Sequence, residues 1–281
     1  WQRIDGLREW LAKKPKPLAP GIFWRASGWL DSTALRVAPV PLPRFQLGGG
    51  RYENTTSAVF RSGPSYTPIA VTQRVDACLI CEESRRREVE RFISDLRDGF
   101  RAHKGMRKTW RIGELQWQTF PAAASTAAAY EKACRAALDA SGAWRIALVQ
   151  VPGASHDLSG DDNPYLVAKA KFLSRGIPVQ EFTDETLQKS ANQRPWVLGG
   201  IGLQVFAKLG GIPWLLEAPD QSVQELVLGL GSAQLGTGRF GNRERLVGLA
   251  TAFSGDGTYW LSETSRVAPY EEHEEALGET V

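Results

Sequence analysis

The sequence is short of cysteine, of long apolar runs and of the common nucleotide-binding motifs, and each shortage removes a class of protein. Cys78, Cys81 and Cys134 are its only cysteines. A small, odd number fits a reducing compartment rather than a disulfide framework. Cys78 and Cys81 form a CxxC, but inside VDACLICEE, an apolar, β-branched run that reads as a buried strand. No second pair and no nearby histidine completes a zinc site. No apolar run approaches the roughly 20 residues of a membrane span. The opening WQRIDGLREWLAKKPKP is polar and basic, unlike a signal peptide. The expectation is a cytoplasmic protein with no membrane partner. No GxGxxG follows a strand and no Walker lysine motif occurs, which argues against an α/β domain for small nucleotides. Internal repeats and low-complexity tracts are absent. Methionine occurs once, at Met106, and the chain opens on Trp1, so the sequence reads as part of a longer polypeptide.

What is present is ordinary globular material. The chain has 281 residues, 42% of them hydrophobic and 23% charged, with a formal net charge of +3. That length supports one large domain or two smaller ones with real cores. The mild basic excess is compatible with a polyanionic partner and does not demand one.

The chain divides by texture. Residues 1–56 carry PKPLAP, PVPLP and a glycine run at Gly48, Gly49 and Gly50; they read as an irregular N-terminal extension, with a short amphipathic helix possible in IDGLREWLAKK. Over residues 57–217 strands alternate with helices. IAVTQRVDACLICEE reads as a strand. The following helix places Val89, Phe92, Ile93, Leu96 and Phe100 on one face. TAAAYEKACRAALDASG is a second helix stopped at Gly142, and WRIALVQVPG a second buried strand. NPYLVAKAKFLSRG is a third helix, IPVQEF a short strand, and PWVLGGIGLQVFAKLGG a fourth helix. This alternation predicts an α/β, Rossmann-like domain with a parallel sheet covered on both faces. Over residues 218–281 the pattern changes to QELVLGLGSAQLG and RLVGLATAFSGDGTYWLSET, a strand and then a hairpin turned at residues 254–257. These antiparallel strands cannot bury their own faces and read as the beginning of a second domain.

The chemistry concentrates in VPGASHDLSGDDNPYLVAKAKFLSRGIPVQEF. Asn163 is a favourable N-cap, and Pro164 suits the first helical position. Tyr165 then lies in the first turn and Lys169 one turn on, along the same face. A helix amino terminus offers unpaired N–H groups and partial positive charge, and a lysine and a phenol beside it make an anion site suited to phosphate. Gln180 is expected at the carboxyl end of the next strand, where parallel α/β domains bind ligands. Lys208 closes the glycine-interrupted helix. A Tyr–Lys pair behind an Asn-Pro cap is also common on helices that bind nothing. The loop PGASHDLSGDDN contains His156 and Asp157, which could read a first base or simply be exposed and polar.

The order Tyr165, Lys169, Gln180, Lys208, the last within FAKLGGIPW, resembles the MID domain of Argonaute proteins. The resemblance extends from VFRSGPSY through ALVQVPG and GIPVQEF to KLGGIPWLLE, which is similar to the junction with the PIWI domain. ELVLGLGSA then resembles the first strand of an RNase H-like PIWI domain. The resemblance covers about residues 57–281, and its motifs are specific only jointly. It implies that Tyr165, Lys169, Gln180 and Lys208 hold the 5′ phosphate of a short guide, with Mg²⁺ as a possible bridging ion, and that His156 and Asp157 lie at the first base. One departure stands out. Cleaving Argonautes end this first PIWI strand with a metal-binding aspartate, whereas Gly231 stands there here, and two-metal chemistry needs carboxylates. The sequence is thus most similar to short, catalytically inactive prokaryotic Argonautes. That similarity implies a guide RNA, a single-stranded DNA target, an APAZ-containing effector protein with a TIR, sirtuin-like or nuclease module, and a role in prokaryotic antiviral immunity. The alternative is an active guide-directed endonuclease with carboxylates that compensate for Gly231.

Overall fold

The computed structural model describes residues 17–19, 22–23, 42–140, 142–153, 158, 160–217, 226–235, 245–266, 268–269, 272 and 275. The chain falls into two units, Trp1–Leu42 and Pro43–Val281. In the first, β1 (Pro17–Ala19) pairs antiparallel with β2 (Ile22–Phe23). The helix expected in IDGLREWLAKK lies outside the described residues.

In the second unit, β3 (Phe45–Leu47) pairs antiparallel with both β4 (Arg51–Glu53) and β9 (Leu215–Leu216). Residues 45–53, expected to be irregular, therefore form a hairpin. Gly49 and Gly50 turn it, with φ of 72° and 70°, values that glycine adopts without a Cβ clash. The β3 partner strand β9 is about 170 residues away in sequence, so no local pattern could reveal the pairing.

Two short helices follow, α1 (Val59–Ser62) and α2 (Ile69–Thr72). The domain then alternates β5 (Arg74–Glu82), α3 (Arg86–Asp98), α4 (Gly105–Trp110), β6 (Glu114–Ala122), α5 (Ala127–Asp139), β7 (Ile146–Val151), α6 (Pro164–Leu173), β8 (Val179–Thr183), α7 (Asp184–Leu187) and α8 (Arg194–Lys208). The four strands form one sheet in the order β6-β5-β7-β8, all parallel. One core cluster includes Leu79, Cys81, Phe92, Ile93 and Phe206; the other includes Cys78, Ile80, Tyr130, Val149 and Phe172. The strand alternation sends successive residues to opposite faces, so both faces are covered, as expected of an α/β domain.

The same alternation decides the CxxC. Cys78 and Cys81 are fully buried on opposite faces of β5, so one ion cannot be held by both. Burial pushes each thiol up to about 12, which leaves them as small hydrophobes.

Several elements differ from the sequence reading. Ile69–Thr72, read as the start of the first strand, forms helix α2, and the strand itself begins at Arg74. The first helix ends at Asp98, because Gly99 at φ 112° turns the chain out. Phe100 then sits beyond the helix in a bridge to His103. The strand β6, ELQWQTFPA, has no counterpart among the expected elements. It is an edge strand with only partial burial and a proline, and such strands lack the apolar run that marks a central one.

The final element is a three-stranded antiparallel sheet in the order β10-β11-β12: β10 (Leu226–Leu235), β11 (Arg245–Ser254) and β12 (Tyr259–Thr264). Its hairpin turns at residues 254–257, and the Asp256 carbonyl accepts the Leu216 amide of β9 at 2.8 Å.

Candidate nucleic-acid interface

The α6 helix begins as its sequence dictates. Asn163 is buried, and its Oδ1 accepts the amides of Tyr165 at 2.9 Å and Leu166 at 3.4 Å. Its Nδ2 donates to the carbonyl of Leu158 at 3.0 Å, which ties the end of the preceding loop to the helix start. Tyr165 is half-buried against the second core cluster. The Lys169 ammonium lies 5.3 Å from the centre of the Tyr165 ring, a cation–π distance.

Lys208 reaches the same neighbourhood from the carboxyl end of α8. Its Nζ donates to the carbonyl of Val179 at 2.6 Å and to Gln180 Oε1 at 2.9 Å. Gln180 is buried, and its Nε2 donates to the carbonyl of Glu181 at 2.7 Å and to Gln204 Oε1 at 3.0 Å. Both amide hydrogens are therefore engaged. Because an ammonium can only donate, Gln180 must turn its oxygen to Lys208. It holds that lysine in place rather than offering a free donor of its own.

Gln180 is also the second residue of β8, not at its carboxyl end as expected. β8 is an edge strand, and its first residues are reached from the side by α8. The rule about carboxyl ends describes the crevice above a sheet and does not apply to a side chain met at a sheet edge.

The electrostatics bring the two halves together. Burial lowers the pKa of Lys208, and the positive charge of Lys169 lowers it further, while Glu181 opposes the shift. Among the described residues neither Lys169 nor Lys208 forms an ion pair with a carboxylate, whereas Lys171 on the same helix is paired with Glu131 at 2.9 Å. The structure thus joins Tyr165 to Lys169 by a cation–π contact and Gln180 to Lys208 by a hydrogen bond, with the Lys169 charge acting on Lys208. It adds Gln204, which sequence reasoning missed. The available signal was its position four residues before Lys208, on the same face of α8.

Comparison with known proteins bears on the fold. The protein argonaute of Cereibacter sphaeroides is 27% identical over an alignment of 296 positions, which takes in 99% of this chain and 38% of the relative. Among solved structures, Clostridium butyricum Argonaute bound to a guide DNA (5′ deoxycytidine) and a 19-mer target DNA superimposes with a TM-score of 0.64 at 16% identity, covering 92% of this chain and 35% of that one. Drosophila Piwi superimposes with a TM-score of 0.56 at 16% identity, covering 85% and 31%. No family model matches the sequence. The chain is similar to the MID/PIWI-like part of Argonautes and covers 31–38% of the length of these three proteins. The alignment with the Cereibacter protein takes in nearly all of residues 1–56 as well, so the likeness to Argonautes does not start at residue 57.

His156 and Asp157 lie outside the described residues. Gly231 stands in the middle of β10 opposite Leu249, and a Cβ there would meet nothing within 4 Å. Asp256 occupies the hairpin turn, where its Oδ1 accepts the Ser254 hydroxyl and the Thr258 amide; burial opposes ionisation, but these bonds hold its carboxyl below the ordinary value. It is a turn residue. The four site residues offer a phosphate two ammoniums and no carboxylate. Among the described residues no group of three acidic, histidine or cysteine side chains could hold a metal. These donors do not fit a protein-held Mg²⁺.

Proposed function

We propose that this chain holds the 5′-phosphorylated end of a short guide RNA and senses complementary single-stranded DNA without cutting it. The observation that carries the reading is the placement of Lys208 on Gln180 and the Val179 carbonyl, where burial lowers its pKa and the Lys169 charge lowers it further while Glu181 opposes the shift. An anion bound beside both lysines would be attracted by each charge. A terminal phosphate, with up to two negative charges, relieves the repulsion and compensates the desolvation of Lys208. Gln180 and Gln204 orient Lys208, and the Tyr165 ring holds Lys169. Anchoring one end leaves the rest of the guide free to pair with a target.

The test is fluorescence anisotropy with matched 5′-phosphate and 5′-hydroxyl oligonucleotides. The 5′-phosphate form should bind at least about tenfold tighter, as one or two charge-assisted hydrogen bonds provide. Lys169→Ala or Lys208→Ala should remove most of that preference. Equal affinity for both ends would overturn the reading. RNA and DNA guides belong in the same series, because the Clostridium protein was solved with a guide DNA. Gly231 supports the non-cleaving part of the reading. A guide-bound protein of that kind acts through another, here an APAZ-containing effector in cytoplasmic prokaryotic immunity. Co-expression should then recover the pair as a complex.

A further inference from the structure

The opposite end of α8 carries a second set of features that the guide pocket does not use. Trp196, in the first turn of the helix, is 78% exposed. Beside it lies a groove lined by Phe60, Arg61, Lys104, Pro195, Trp196 and Gly199 among others, with no carboxylate in its lining. A Cβ on Gly199 would come within 3.3 Å of the Phe60 ring, so the glycine lets the aromatic wall sit against the helix. Trp196 and Lys208 are twelve residues apart on α8, roughly 18 Å at 1.5 Å per residue.

The groove borders an unusually basic stretch. Between Asp98 and Glu114 the sequence contains Arg101, Lys104, Arg107, Lys108 and Arg111 and no acidic residue. All five are exposed. The short helix α4 explains their arrangement: Met106, Thr109 and Trp110 are buried, with Trp110 stacked on Phe206 at 5.1 Å. Positions 104, 107 and 108 follow the i, i+3, i+4 spacing and form one outward face, while Arg111, left-handed at φ 57°, follows the helix with its guanidinium beside Gly63. Among the described residues none of the five pairs with a carboxylate. Arg101 donates to the neutral Asn192 Oδ1 at 2.7 Å, and Arg61 reaches Glu53 only at 3.8 Å.

We propose that this groove and the cationic face of α4 form a second nucleic-acid surface, which takes single-stranded nucleic acid with a base on Trp196 and phosphates on Lys104, Arg107 and Lys108. A run of cations without counter-charges suits a continuous polyanion. An exposed indole beside it provides the sequence-tolerant stacking platform of single-strand binders. The surface requires no terminal phosphate and stands whether or not the Lys169–Lys208 pocket binds a guide.

The experiment uses the full chain and a 5′-hydroxyl oligo(dT) of about 15 nucleotides, read by anisotropy over a series of salt concentrations. The triple variant Lys104→Glu, Arg107→Glu, Lys108→Glu should weaken binding at least tenfold. Its salt dependence on a log–log plot should become shallower by about 0.7 for each phosphate that the protein no longer neutralises. Trp196→Ala should weaken binding about fivefold or more, and Trp196→Phe should retain most of it. The same weakening should appear in a Lys169→Ala, Lys208→Ala background, which separates this surface from the guide pocket. All substituted groove residues are exposed, and thermal unfolding checks that the fold persists. Unchanged affinity and salt slope in the triple variant would overturn the proposal. So would poly-glutamate that loses binding with these substitutions while the oligonucleotide does not, since the surface would then serve an acidic protein.

Discussion

Lys208 is the residue in which packing and charge conflict most directly. Its pKa is lowered by burial first and by Lys169 second. In the empty protein the ammonium is disfavoured relative to the unfolded chain, whose lysine keeps its ordinary value near 10.4. The unfolded state therefore binds more protons between the lowered value and the ordinary one, and this residue's contribution to stability rises with pH across that window. A bound phosphate reverses the sign, because it favours the charged lysine. The preference for a 5′-phosphate should thus fall as pH rises through the lowered Lys208 value, before the ordinary lysine range is reached. Anisotropy with 5′-phosphate and 5′-hydroxyl oligo(dA), whose bases do not titrate there, measures it. Lys208→Arg, with a guanidinium charged throughout, should flatten the alkaline fall; an unchanged fall would assign it to another group. Tyr165 and Lys169 were legible in the sequence because a local rule, one helical turn behind a cap, puts them together. Gln180 and Lys208 meet across an edge strand and a helix 28 residues apart, a pairing that no local spacing encodes; only the resemblance linked them.

At the scale of elements, the start of α6 joins stability to binding through Asn163. Its oxygen caps two amides and its nitrogen holds the carbonyl of Leu158. Asn163→Ala should cost about 1 kcal/mol, within the 0.5–2 kcal/mol range of lost caps, seen as a lower urea midpoint. Asn163→Asp keeps the cap acceptor and removes the donor to Leu158. It also adds a negative charge at the helix end that bears Tyr165. Its urea midpoint should fall less than that of the alanine variant, while 5′-phosphate guide affinity falls more. The reverse ranking of affinities would detach the cap from the site. The elements most legible in the sequence were those with local causes. The apolar run of β7, the face of α3 and the Asn-Pro start of α6 each state their own structure. The β3–β4 hairpin and edge strand β6 owe theirs to partners elsewhere, and the stop at Gly99 depends on a backbone angle that a periodicity cannot express.

At the scale of the molecule, the question is whether the β10–β12 sheet supports chemistry. Gly231 sits in a regular antiparallel ladder with open space where a side chain would project. Among the described residues nothing meets a Cβ at Gly231, so a side chain fits there. Gly231→Asp should fold normally, with an unfolding midpoint within the roughly 0.5 kcal/mol typical of surface changes. One carboxylate does not make a two-metal site, which positions the attacking and leaving oxygens through several ligands. Asp256, held by Ser254 and Thr258 in its turn, is not placed to become another. With a 5′-phosphorylated guide, a matched DNA target and Mg²⁺ or Mn²⁺, neither the present sequence nor Gly231→Asp should yield cleaved target over hours on a denaturing gel. Cleavage by the unsubstituted protein would replace the sensing role with that of an endonuclease. Cleavage by Gly231→Asp alone would mean that the other carboxylates are already assembled and that a single position decides between sensing and cutting.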